Sequence, residues 1–116
     1  MKTRRGDVVL VLFPNSDLRT AKRRPALVVQ ASNLNTGLAQ TLVAIITSNR
    51  TRAGHPSRVV VLLDSPEGHA AGLRTDSVIM ADNIATVADS EIHSVLGRVP
   101  DMTAVDAALK HTLALA

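Results

Sequence analysis

The chain has 116 residues, 46% of them hydrophobic, and contains no cysteine, so it is expected to form one domain, residues 1–116, with a core large enough to need neither a disulfide nor a thiolate-held metal. Charge is segregated: residues 1–60 carry ten Lys or Arg against Asp7 and Asp17, whereas residues 61–116 carry three against eight acids. The first half is therefore expected to build a face that attracts polyanions, and with Phe13 the only aromatic residue, that face must work by charge and hydrogen bonding rather than by stacking bases on rings.

Lys2, Arg4 and Arg5 open the chain, but the apolar run behind them, Val8 to Phe13, is shorter than a signal-peptide core and has no small-residue cleavage site after it. No stretch reaches membrane-spanning length, and the expectation is a cytoplasmic protein without membrane contact. After Gly6, Asp7 to Leu12 reads as a strand, closed by a turn at Phe13-Pro14-Asn15-Ser16-Asp17. Leu18 to Arg24 is polar and basic without periodicity and reads as a loop. Pro25 restricts Arg24 to extended backbone, so Arg24 is expected at the mouth of a strand from Ala26 to Gln30.

Ala31 to Gln40, with two Asn, a Ser and a Gly, reads as a turn or a short helical turn. Thr41 to Thr47, rich in β-branched residues, is a third strand. Ser48 to Ser57 is a second basic loop, Arg58 to Leu63 resumes the sheet, and Pro66 to Gly72 is a turn region. Thr75 to Ala81 and Ile84 to Val87 read either as two short strands or as one strand bent near Asp82-Asn83, and Val95 to Val99 as a further extended piece. Pro100-Asp101 marks a helix start, after which Met102, Val105, Leu109 and Leu113 recur at steps of three and four and share one face. The order predicts a mainly β domain with a C-terminal helix, curled as a small barrel.

His55, His69, His93 and His111 are too widely spaced for a paired ligand motif, so no metal site is expected. No nucleophile-elbow serine, phosphate-binding loop or dinucleotide fingerprint is present. The informative pair is Arg24 at the start of one strand and Thr47-Ser48-Asn49 at the end of another, because those ends can lie side by side in an antiparallel sheet. A guanidinium fork and two hydroxyls could then converge on one phosphate. Each also has a plainer reading: Thr47 as a strand-end cap and Arg24 as a surface charge.

Gly6-Asp7-Val8-Val9-Leu10-Val11, Arg24-Pro25-Ala26-Leu27-Val28-Val29, Ile45-Ile46-Thr47-Ser48-Asn49, Gly72-Leu73-Arg74-Thr75-Asp76-Ser77-Val78-Ile79, Ala81-Asp82-Asn83-Ile84-Ala85-Thr86-Val87 and Leu96-Gly97-Arg98-Val99 together resemble the MazF/PemK family of toxin endoribonucleases. The resemblance spans nearly the whole chain. It implies an SH3-like, CcdB-like β-barrel that forms a homodimer, cuts single-stranded RNA (mRNA) without a cofactor or metal to a 2′,3′-cyclic phosphate and a 5′-hydroxyl, and is restrained by a cognate MazE-like antitoxin with an acidic, disordered segment. It also implies catalytic roles for Arg24 and Thr47 and, by the PemK branch, for Asp82, whose plainer reading is a turn aspartate. Lys22, Arg23, Ser48, Asn49, Arg50 and Arg52 would contact RNA. Leu10, Asn83 and Met80 depart from the family pattern, Met80 standing where the PemK branch has an arginine. Two other readings are a CcdB-like toxin that grips a protein target such as gyrase, and a relative that binds RNA without cutting it.

Overall fold

The computed structural model describes residues 2–14 and 17–116; Asn15 and Ser16 of the expected first turn lie outside the described residues. Six strands form one antiparallel sheet: β1 (Asp7–Pro14), β2 (Ala21–Val28), β3 (Gln40–Thr47), β4 (Arg58–Val61), β5 (Ser77–Ala88) and β6 (Ile92–Arg98), in the order β4-β5-β3-β2-β1-β6. Two helices complete it, α1 (Pro66–Ala71) and α2 (Thr103–Leu113). The sheet is curled but open, with β4 and β6 at its edges, so the expected barrel is a barrel-like sheet without closing strand pairs.

Val8 and Val9 are both fully buried although a strand points them to opposite faces. Both faces are therefore covered, which is why β1 reads as a continuous apolar run rather than an alternating one. One face packs Val8, Leu27, Ala44, Ile46 and Ile79 against Val105 of α2 and Ala71 of α1. The other packs Val9, Val11, Ala26, Val28 and Val43 beneath Val87 and Ile92, which the curl brings over them. Met102, just before α2, and Val105 and Leu109 on it face the core as their spacing predicts, joined by Ala108, but Leu113 is exposed.

The region 66–72, expected as a turn, is helical. Ser65 accepts the Gly68 N–H at 3.0 Å, Pro66 occupies the first turn, and Gly72 ends the helix at φ 69°, which only glycine adopts without cost. Ser65→Ala is expected to lower unfolding free energy by about 1 kcal/mol, the usual worth of an N-cap, as read by urea denaturation. Although α1 links β4 to β5 at one edge, it lies on β6 at the other. A Cβ at Gly72 would overlap the Leu96 carbonyl, and one at Gly97 would overlap the backbone of Ala70 and Ala71. These two glycines let helix and strand backbones touch, and the contact brings the sheet's two edges toward each other.

Several strand ends differ by one to three residues from expectation, β1 reaching Pro14 and β4 ending at Val61, and β2 changes most. β2 begins at Ala21, not Ala26, because Lys22, Arg23 and Arg24 pair with Phe13, Leu12 and Val11 of β1. Arg24 thus stands inside a strand instead of at its mouth. β6 begins at Ile92, three residues before the expected Val95. The two pieces expected between Thr75 and Val87 are one bent strand, β5: Ile45 pairs with Met80 but Ala44 with Ile84, leaving Ala81, Asp82 and Asn83 in a bulge.

Candidate nucleic-acid interface

The β2–β3 ladder runs Val28↔Val43, Leu27↔Ala44, Ala26↔Ile45 and then ends. Continued two residues further, that register sets Arg24 across from Thr47. The strands separate there, and the gap is the mouth of a cleft of about 690 Å³. Lys22, Arg23, Arg24, Thr47, Ser48, Asn49 and Arg52 all line it. The cleft also takes Arg74 and Thr75 from the loop after α1, Met80 and Asn83 from β5, and Leu10 and Leu96 from β1 and β6.

The lining holds five cations, Lys22, Arg23, Arg24, Arg52 and Arg74, and no carboxylate or imidazole among its described residues. The bulk of the chain's acids are engaged elsewhere or face away. Arg5, Arg50 and Arg58, three cations of the basic first half, pair with Asp106, Asp76 and Asp82 of the acidic second half at 2.6, 3.5 and 2.8 Å. In the reverse sense, buried Asp7 accepts the Arg98 guanidinium at 2.8 Å and the Arg4 N–H at 2.9 Å, tying β1 to β6. Three of the ten first-half cations are thus neutralised by cross-pairing, and four others, Lys22, Arg23, Arg24 and Arg52, converge in the cleft.

Thr47 is set to donate. Its Oγ1 accepts the Asn49 N–H at 3.1 Å, which occupies a lone pair and leaves the hydroxyl hydrogen for a ligand. Asn49 caps a 3-10 turn over Arg50–Arg52, accepting from the Thr51 N–H at 3.1 Å and the Thr51 hydroxyl at 2.7 Å. Its carbonyl oxygen is therefore committed, whereas its amide NH₂ can still donate. This turn aims Arg52 into the cleft and Arg50 out of it, toward Asp76.

Asp82 is not among the cleft-lining residues. From the β5 bulge it accepts a two-pronged bond from Arg58, Nε to Oδ1 at 3.3 Å and Nη2 to Oδ2 at 2.8 Å. Arg58 in turn donates to the Arg52 carbonyl at 3.2 Å, so this ion pair anchors the loop that carries Arg52. The hydrogen bonds from Arg58 hold the Asp82 carboxyl below its ordinary range. Arg74 and Asn83 are cleft residues that sequence reasoning did not select. Arg74 lies in a turn without periodicity, and Asn83 reaches the cleft only because the bulge turns it.

A curled antiparallel sheet whose cleft is cationic, hydroxyl-lined and without a carboxylate among its described residues has the chemistry to receive a phosphate backbone. The sequence profile of the PemK-like, MazF-like toxins of type II toxin-antitoxin systems matches residues 4–113, and the chain belongs to that family. It is 35% identical over 107 residues to endoribonuclease MazF6 of Mycobacterium tuberculosis, covering 90% of each chain. Among solved structures, a mycobacterial endoribonuclease in complex with its cognate antitoxin superposes with a TM-score of 0.73 at 28% identity, covering 98% of this chain and 97% of that one. MazF in the MazE–MazF complex of Deinococcus radiodurans shares the fold, with a TM-score of 0.75 at 22% identity and full coverage of both chains.

Proposed function

We propose that the chain is a toxin endoribonuclease that cuts single-stranded RNA in the Arg24–Thr47 cleft and is held inactive by a cognate antitoxin. The observation that carries this reading is the convergence of Arg24 and Thr47 in a cleft with five cations and no carboxylate. The charge of the cleft supplies affinity for a nucleic-acid backbone that weakens with salt. The relatives by sequence are named endoribonucleases rather than binders of a protein target, and nothing in this structure favours a CcdB-like role.

The reaction consistent with these groups uses the RNA's own 2′-hydroxyl. Its proton passes to solvent water, the 2′-oxygen attacks the adjacent phosphorus, the bond from phosphorus to the 5′-oxygen breaks, and that oxygen takes a proton back from solvent. The products carry a 2′,3′-cyclic phosphate and a 5′-hydroxyl. Arg24 stabilises the charge that grows on the phosphorane, and Thr47 donates a hydrogen bond to the same oxygens. Arg24 is assigned to charge stabilisation and not to proton abstraction, because a planar guanidinium offers only donors to the phosphate oxygens. Among the described residues of the lining there is no carboxylate.

Asp82 then serves as a strut. Its lowered pKa means it contributes stability above the unfolded carboxyl value of about 3.9 and loses that contribution as pH falls through the folded value. Asp82→Asn is expected to lower stability by about 0.5 kcal/mol at neutral pH, with the difference vanishing in acid, and to reduce cleavage less than about tenfold. Loss of a true general base would cost about 10²–10⁴-fold with stability unchanged. Paired denaturation and cleavage assays separate the two.

The same cleft would accept the antitoxin. An acidic disordered segment complements its cations, and occupancy by that segment excludes RNA. The active unit is a homodimer in this reading, working in the cytoplasm; no helix among the described residues is long and apolar enough to cross a membrane. The test is incubation of the purified chain with a long unstructured RNA and with the same RNA in duplex form. The reading requires discrete fragments from the first only, suppressed by added antitoxin. Uncut single strands, with the protein folded, would overturn it.

A further inference from the structure

Arg74 stands apart from the other cleft cations. It is the only one from the acidic half of the chain, and it approaches from the α1–β5 loop, whereas Lys22, Arg23 and Arg24 come from β2 and Arg52 from the turn after β3. Arg74 has no ion pair or hydrogen bond with any described residue, although the acids around it are engaged: Asp76 accepts the Leu63 N–H at 2.8 Å and faces Arg50 at 3.5 Å.

The segment that carries it is anchored on both sides. Gly72 ends α1 with its backbone against Leu96, and Leu73 packs on the core. After Arg74, the buried Ser77 donates its hydroxyl to the Thr75 carbonyl at 2.9 Å, and Asp76 is bonded to the backbone after β4. An exposed arginine on a backbone held this firmly loses little entropy in the loop when it takes up a ligand. Leaving a guanidinium unneutralised on a built segment beside four other cations costs repulsion, and an anion in the cleft offsets it.

We infer that Arg74 is a phosphate-binding residue of the nuclease cleft that holds a backbone phosphate neighbouring the one engaged by Arg24 and Thr47. The inference rests on the proposed nuclease reading and extends it: the preferred substrate is an RNA with at least one further phosphodiester beyond the scissile one. Arg74 touches substrate but none of the reacting atoms. Its removal therefore weakens binding of substrate and transition state alike, which raises KM and leaves kcat unchanged.

The experiment compares the intact protein with Arg74→Ala and Arg74→Lys on two substrates: an RNA oligomer and a dinucleotide that has the scissile phosphate alone. Binding is read in parallel with an oligomer carrying 2′-deoxyribose at the cleavage position. Arg74→Ala is expected to raise KM for the oligomer about tenfold at constant kcat, to lower the slope of log binding constant against log salt by about 0.7, and to raise KM for the dinucleotide several-fold less than for the oligomer. Arg74→Lys keeps the slope and recovers part of the KM. An oligomer KM and salt slope equal to the intact protein's would overturn the inference while leaving the nuclease reading standing. A kcat loss on both substrates would place Arg74 at the reacting atoms and overturn it as well. An intact protein that neither binds nor cuts RNA would sink the nuclease reading and this inference with it.

Discussion

Replacing Arg24 with alanine is expected to cut kcat/KM for RNA by about 10³-fold or more while leaving unfolding free energy within about 0.5 kcal/mol of the parent. Arg24 is exposed on β2, and the buried members of that strand, Ala26, Leu27 and Val28, lie on the far side of Pro25. Its removal leaves the core untouched. What it removes is a planar cation just beyond the end of the β2–β3 ladder, in the cleft that Thr47 also lines. Arg24→Lys restores charge without the fork and should recover only a small part of the rate, because a lysine cannot hold two phosphate oxygens in one plane. Cleavage by Arg24→Ala within tenfold of the parent would remove Arg24 from the reaction. Loss of folding together with activity would make it structural.

The second large effect is on stability. Gly97→Ala is expected to lower unfolding free energy by about 3 kcal/mol and the Tm by about 10 °C. Gly-to-Ala replacement at an unstrained position stabilises a protein slightly by restricting the unfolded chain, so a loss of this size isolates the clash. Here the added Cβ would meet the Ala70 and Ala71 backbone, which cannot rotate away as a side chain could. To make room, α1 must lift from β6, and the Gly72–Thr75 segment moves with it, carrying Arg74 out of the cleft. Cleavage should therefore fall even at temperatures where the variant stays folded. Urea denaturation and RNA cleavage at low temperature check both parts; unchanged stability would mean that α1 does not rest on β6 as described.

Much of the sheet is legible from local pattern, and the exceptions have physical causes. β1 and β3 announce themselves through Val-, Leu- and Ile-rich runs, and α2 through the spacing of Met102, Val105 and Leu109. Lys22-Arg23-Arg24 has no such signal, because it forms the exposed half of a strand whose ladder is supplied by β1. Residue preference says little where the partner strand decides the conformation. The short helix α1 carries Gly68 in its interior and only six residues, too few for periodicity, yet Ser65-Pro66 before it and Gly72 after it are its boundary signals. Asp82 was readable as a point of bending, but its partner Arg58 lies 24 residues away and is visible only in the folded sheet.

The candidate site divides in the same way. Arg24 and Thr47 could be paired from sequence because each marks the end of a predicted strand, and both line the cleft beyond the end of the β2–β3 ladder. Arg74 could not, since nothing in a turn between a helix and a strand says which way it faces. The contact of Gly72 and Gly97 with the opposing backbone decides that, and such close approaches are a property of tertiary packing alone.

The most direct measurement is the chemical identity of the RNA ends left by the purified chain, made on a uniform RNA and on the same RNA with a single 2′-deoxyribose at the cut position. If the cleft uses the 2′-hydroxyl under Arg24 and Thr47, the fragments carry a 2′,3′-cyclic phosphate and a 5′-hydroxyl, and the deoxyribose abolishes the cut at that position only. Fragments with a 5′-phosphate and a 3′-hydroxyl, or unimpeded cleavage at the deoxyribose, would contradict the account, because water and not the RNA would then be the attacking group.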